Sequence, residues 1–331
     1  MLKETVKRLQ QEIAAALKEK NKPEEKLARL EEIEKECKAS LPEGEPARIR
    51  LEMVLCEMAG NLYVTMKNPA EAEKRYRAML QKGSSLYQED KKTYDLLFAQ
   101  ANLRMGVFYK GLIKIQTVDA RPRKLNETQK KVYDISDKFF RSAVGICLDR
   151  IKAGQLHAVE LQGKCMENLM VLKGALGEYP EAVKIGEQLI KLGKSIFQAT
   201  DDGPHALELA QWMSILATIY LFQKEYVKAM EMLEDCIYVL RDKEDTAPLP
   251  FTLRLASSYI NLGNARYLIP QEASGAQEAY EKGIQLYEKV DQQYPGRYEK
   301  ELKQACFIVG NYYQKQGEKE KADRYLERGK N

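Results

Sequence analysis

The pair Gly-Asn occurs three times in places that read as helix, at Gly60-Asn61, Gly263-Asn264 and Gly310-Asn311. An asparagine amide offers two donors and an acceptor. Glycine inside a helix costs roughly 1 kcal/mol relative to alanine, so a repeated pair calls for a ligand, a catalytic turn or close packing to offset it. Other residues able to do chemistry are sparse. The two histidines, His157 and His205, sit in the helix-start contexts "GQLHAVE" and "DDGPHALE", where capping or a surface role is expected. Glu31/Glu32 and Asp201/Asp202 are adjacent pairs, hence charge runs or caps rather than spaced acid/base couples. No G-x-G-x-x-G, P-loop, H-E-x-x-H or G-x-S-x-G is present. The sequence therefore predicts no catalytic residue, no metal site and no cofactor.

Six cysteines, at 37, 56, 147, 165, 236 and 306, lack any C-x-x-C spacing. Neither zinc nor a disulfide framework suits them, and within helical patterns they read as small buried hydrophobes in a reducing compartment. The 53 basic and 49 acidic side chains leave a net charge of +4, which argues against a chain built to coat nucleic acid or membrane. The N-terminal stretch shows no signal-peptide signature, and the longest apolar run, "MSILATIYLF", is too short to span a bilayer. A cytoplasmic protein is expected. The segment "VDARPRKLNETQKK" concentrates Arg121, Arg123 and Lys124 and reads as a solvated loop leading to a helix capped by Asn126; docking of an acidic partner is the sharper alternative.

The elements that position these residues follow from a repeat. A small residue is followed three later by tyrosine at Gly60/Tyr63, Gly106/Tyr109, Ala217/Tyr220 and Gly310/Tyr313; Gly263 joins the series with Tyr267 one residue late. Gly60 to Gly106 and Ala217 to Gly263 span 46 residues each, and Gly263 to Gly310 spans 47. Met170 fills the slot of a weaker unit, and the 118–131 segment is an insertion in the second. Twelve residues after the small one comes an alanine (Ala72, Ala182, Ala229, Ala322, with Ala276 at thirteen), usually followed four later by Tyr76, Leu233, Tyr280 or Leu326. Turn signals such as Asn68-Pro69 and Gly317-Glu318 lie between. Each unit is thus two antiparallel helices whose small residues allow close approach. No strand alternation competes, so the chain is all-α. Leu2, Val6, Leu9, Ile13 and Leu17 form one further apolar stripe, and Leu27, Leu30, Ile33 and Cys37 another, with Asn21-Lys22-Pro23 as the turn.

These features resemble the tetratricopeptide repeat, best in "LATIYLFQKEYVKAMEML", "VGNYYQKQGEKEKADRYL" and "GNLYVTMKNPAEAEKRY". The period exceeds the roughly 34 residues usual there, which implies longer helices of a kind associated with bacterial proteins. The resemblance implies an α-solenoid of stacked hairpins: a cap at 1–42, then an array at 43–331 with units near 45–88, 89–154, 155–200, 203–243, 247–293 and 296–330. The charged last helix is expected to close the fold without a further domain. In this family the first helices line a concave surface, which would place Asn61, Asn264, Asn311, Lys110, Tyr267 and Gln314 toward a ligand. Asparagines there either grip the backbone of an extended peptide or are consensus residues facing solvent. The family's carboxylate clamp needs a lysine three residues before the small one. Glu57, Leu103, Glu167, Ser214, Ile260 and Phe307 stand there instead, and Glu57 and Glu167 tilt the surface toward basic or neutral partners. The expected function is a scaffold for a protein or extended peptide, not an enzyme. A bacterial peptide-sensing regulator is the alternative, and an enzyme with an acid/base cluster assembled by folding is the third reading.

Overall fold

A computed structural model describes residues 2–118, 122–155, 158–241 and 248–330. Among the described residues the regular structure is helical throughout, with no strand. The chain divides into two units, residues 1–116 with 124–172, and residues 117–123 with 173–331.

The first unit holds α1 (Leu2–Lys18), α2 (Pro23–Ser40), α3 (Pro46–Thr65), α4 (Pro69–Glu89), α5 (Lys91–Leu112), α6 (Glu127–Lys152) and all but the end of α7 (Ala158–Ala175). Prolines start α2, α3 and α4, where a missing N–H costs nothing because no intrahelical partner exists there. Asn68 and Asp90 accept backbone N–H bonds at the starts of α4 and α5. Asn126 and Gln129 form a reciprocal capping box on α6, as expected of the residue that ends the insertion. Leu9 and Ile13 of α1 pack with Leu30, Ile33 and Cys37 of α2 and with Leu51 and Leu55 of α3 in one buried cluster. A second cluster joins α3, α4 and α5 through Met53, Tyr76, Met79, Met105 and Phe108.

The second unit holds α8 (Tyr179–Thr200), α9 (Gly203–Phe222), α10 (Tyr226–Arg241), α11 (Pro248–Tyr267), α12 (Ala276–Gln293), α13 (Glu299–Gln316) and α14 (Lys319–Lys330), each packed against the next in sequence. A short 3-10 turn at Ala273–Gly275 takes up the one-residue excess before Ala276. Trp212 is buried in α9, so it belongs to the core. His205 lies in the first turn of α9, where its N–H and ring Nδ1 approach the capping carboxylate of Asp202 at 2.9 and 2.8 Å.

The glycine question has a steric answer. A β-carbon on Gly60 would sit 3.0–3.1 Å from the Tyr76 ring, on Gly263 2.6–2.8 Å from the Tyr280 ring, and on Gly310 2.7 Å from Leu326 Cγ. The partner lies sixteen or seventeen residues on, in the second helix of the same hairpin. A different need governs the turn between the helices. Lys67, Lys114, Gly177, Lys224 and Gly317 take it with φ between +55 and +79, the left-handed region that glycine enters freely and lysine does not.

Candidate functional site

Each Gly-Asn pair brings its asparagine beside the packing contact. The Tyr76 hydroxyl donates to Asn61 Oδ1 at 2.6 Å, and the Tyr280 hydroxyl donates to Asn264 Oδ1 at 2.8 Å. Where the partner is Leu326, Asn311 instead donates through Nδ2 to the Phe307 carbonyl one turn back, at 2.7 Å. Two of the three asparagines therefore spend their oxygen inside their own hairpin. Lys110 donates to Asn168 Oδ1 at 2.6 Å; burial holds its ammonium below the usual lysine range, and the nearby Glu167 opposes that shift. Tyr267 is half-buried, edge-on to Tyr312 with ring centres 5.4 Å apart, and the Lys315 ammonium lies 5.7 Å from its centre. Gln314 and Lys124 are exposed, and the Arg123 N–H donates to the Ala175 carbonyl at 2.9 Å. Arg121 and His157 fall outside the described residues.

Three of the repeat tyrosines, Tyr109, Tyr220 and Tyr313, are joints between hairpins. Tyr109 donates to Glu73 at 2.7 Å, Tyr220 to Glu187 at 2.9 Å and Tyr313 to Glu281 at 2.9 Å, each reaching the second helix of the preceding hairpin. Burial, then the carboxylate partner, pushes the Tyr109 hydroxyl up to about 12. The expected acidity of the first-helix face is met within the fold. Glu57 lies 2.6 Å from Arg104 Nε, and burial raises its carboxyl pKa despite that guanidinium.

Two concavities among the described residues lie where no site residue was expected. In the first unit a cleft of about 620 Å³ is walled by Arg50 of α3, by Thr93, Tyr94, Leu97, Gln100 and Arg104 of α5, and by Leu161 and Lys164 of α7. In the second unit a cleft of about 490 Å³ is walled by Leu207 of α9, by Pro250, Leu253, Arg254 and Ser257 of α11, by Tyr287 of α12, by Tyr298 just before α13 and by Glu301 of α13. The two are equivalent in the repeat. Adding 157 to Arg50, Thr93, Leu96, Leu97 and Gln100 gives Leu207, Pro250, Leu253, Arg254 and Ser257, the same offset that carries Gly106 to Gly263. Leu161 stands nine before Met170 and Glu301 nine before Gly310. Both clefts draw mainly on three successive first helices, upstream of the glycine-asparagine level, and Tyr287 of the second helix α12 adds to the second cleft. The only signal for them in the sequence is the long period, which lengthens those helices.

Among the described residues no three His, Cys, Asp or Glu side chains converge as a metal site. All six cysteines are free and buried, and burial pushes the Cys147 thiol up to about 12, away from reactive thiolate. No described helix is long and apolar enough to cross a membrane.

Residues 303–330, spanning α13 and α14, match the tetratricopeptide repeat model. No curated protein sequence matches the chain. Two solved structures share the fold: aspartyl phosphate phosphatase F from Bacillus subtilis and the apo form of RapI. The first has a TM-score of 0.53 at 13% identity, covering 97% of this chain and 67% of that one. The second has a TM-score of 0.53 at 14% identity, covering 84% of this chain and 96% of that one. The close glycine contacts, the hydroxyl joints between hairpins, the matched final repeat and these likenesses agree on one architecture. The chain is an all-α helical repeat protein whose final hairpin, residues 303–330, matches the tetratricopeptide repeat.

Proposed function

We propose that the chain is a protein-interaction scaffold that holds extended peptide segments of its partners against the N-terminal halves of its first helices, without chemistry of its own. One observation carries this reading: each unit opens a cleft of several hundred cubic ångströms at the same repeat position. Each cleft is floored by leucines and rimmed by a few polar groups, the composition expected of a recognition site. Exposed aliphatic side chains also lie on this run of helices, Val54 on α3 and Val107 on α5. Buried, unreactive thiols fit a reducing, cytoplasmic setting.

The test is selection of peptides from a displayed random library against the whole chain, followed by Leu161→Ser and Leu207→Ser, one in each cleft. Selected peptides should lose about tenfold or more in affinity to one of these variants, with the helical melt of the variant unchanged. Binders indifferent to both substitutions would place recognition elsewhere. The asparagine positions supply a further comparison: Asn311→Ala, whose amide makes no contact across the hairpin, should weaken only ligands that extend past the clefts.

A further inference from the structure

The two clefts share a position in the repeat but not a charge pattern. Three cations stand at the cleft of the first unit: Arg50, Arg104 and Lys164. Two of them are matched. Arg104 pairs with Glu57 at 2.6 Å, and Lys164 pairs with Glu160 one turn earlier on α7. Arg50 has no carboxylate partner among the described residues. Its exposed guanidinium lies 5.0 Å from the centre of the Tyr94 ring. Stacking of this kind engages the face of the guanidinium and leaves its N–H donors directed outward in the plane. A planar fork steadied on a ring, with no carboxylate of the described residues paired to it, is preorganised for one, which it can take by two parallel hydrogen bonds. Beside it Leu97 and Leu161 are half-buried and offer an apolar floor.

We propose that the first-unit cleft selects an extended peptide presenting a carboxylate to Arg50 and an aliphatic side chain to Leu97 and Leu161. The inference rests on the reading of these helix faces as peptide-binding surfaces and adds the chemistry of the ligand. The second-unit cleft has leucine, Leu207, at the place of Arg50, and its Arg254 stands at the place of Leu97, so no guanidinium occupies the position from which Arg50 would take the carboxylate. For this cleft the proposal takes the opposite sign to the basic or neutral partner expected from Glu57 and Glu167, because Glu57 is paired with Arg104 and Glu167 lies downstream of the cleft.

The experiment uses three fluorescein-labelled octapeptides in which leucine alternates with glutamate, glutamine or lysine, titrated into the full chain by fluorescence anisotropy. Arg50→Leu installs what the equivalent cleft already carries, and Leu161→Ser serves as the control for the floor. The glutamate peptide should bind about tenfold tighter than the glutamine peptide. That advantage should shrink as salt rises and vanish in Arg50→Leu, where the glutamate and glutamine peptides should bind alike. An acidic advantage that survives Arg50→Leu would overturn the assignment. Equal binding of the glutamate and glutamine peptides, lost in Leu161→Ser, would remove the charge preference while leaving the cleft as the peptide site. Failure of all three peptides would remove both. Sedimentation of the unliganded chain is the companion measurement: a dimer abolished by Arg50→Leu would give the cleft to a second copy of the chain and overturn the proposal.

Discussion

Replacing a helical glycine by alanine should have opposite effects at two positions in this protein, and the difference can be worked from contact distances. At Gly145, exposed in the middle of α6, an added β-carbon meets nothing within 4 Å. Gly145→Ala should therefore return the full helix-propensity gain, roughly 1 kcal/mol. At Gly263 the same carbon would lie 2.6 Å from Cδ1 and Cε1 of Tyr280 and 2.8 Å from Cγ. The Tyr280 ring is 2% exposed, its hydroxyl is held by Asn264, and Tyr312 lies against it with ring centres 4.8 Å apart. Restoring ordinary carbon contact of about 3.5–4.0 Å requires the ring to move by about 1 Å. Overpacking of this kind costs typically 1–3 kcal/mol, and displacement of the hydroxyl adds part of a hydrogen bond worth about 1 kcal/mol. Set against the propensity gain, Gly263→Ala should lose about 1–2 kcal/mol. The two alanines thus differ by about 2–3 kcal/mol, with Gly60→Ala between them because its contact is 3.0–3.1 Å. Urea unfolding followed by far-ultraviolet circular dichroism gives the ordering from midpoints, which remain meaningful if an array of repeats does not unfold in one step. Gly263→Ala as stable as the parent, or Gly145→Ala less stable, would refute the reasoning.

Further outcomes follow from other features. Lys224→Gly removes a lysine from φ +64 and should raise stability by about 0.5–1 kcal/mol, the left-handed strain of about 1–2 kcal/mol less glycine's entropic cost; a lower urea midpoint would contradict the turn geometry. Tyr280→Phe should cost about 1 kcal/mol by leaving Asn264 without its hydroxyl donor, and Asn264→Ala in the same background should cost little more; additive losses would dissolve the pair. Ellman's reagent should label none of the six cysteines in the folded chain and all six in urea; prompt labelling of native protein would contradict their burial. The Thr93 hydroxyl, together with the Thr93 and Lys92 N–H groups, holds Asp90 below its usual carboxylate range. Its contribution is complete above the unfolded value, about 3.9, and is lost as pH falls through the lower folded value. Asp90→Asn keeps the capping oxygen without the charge, so its deficit against the parent should be widest near neutral pH and close below about pH 4. A deficit independent of pH would remove the charge from the cap.

The architecture was legible because each hairpin writes its packing as single residues at fixed intervals. Gly60, Gly263 and Gly310 mark where a second helix comes near; Pro69 and Asn68 mark where α4 starts; Asn126 ends the insertion as a cap. The tyrosines three after the small residue were recognisable as structural, though the glutamate partners of Tyr109, Tyr220 and Tyr313 were not. Glu73, Glu187 and Glu281 lie 32 to 36 residues upstream of those tyrosines and do not share one register. The asparagines drew attention as free amides because their use depends on a tyrosine fifteen or sixteen residues on, which pattern alone counts as an apolar packing residue. The clefts were invisible for a different reason. Most of their residues lie upstream of the register mark, where residue types vary between units, and a concavity depends on how residues from several helices come together rather than on any residue type.

The pairing of each glycine with a side chain only sixteen or seventeen residues later has a consequence for how the chain is made. A hairpin closed by such a contact can be completed soon after its second helix leaves the ribosome, with no need of sequence still to come. The tyrosine joints then point backward, each from a newer hairpin to a glutamate on the one already formed. Synthesis from the N-terminus therefore lays down Glu73, Glu187 and Glu281 before Tyr109, Tyr220 and Tyr313, so at these three joints the acceptor is in place before its donor is made.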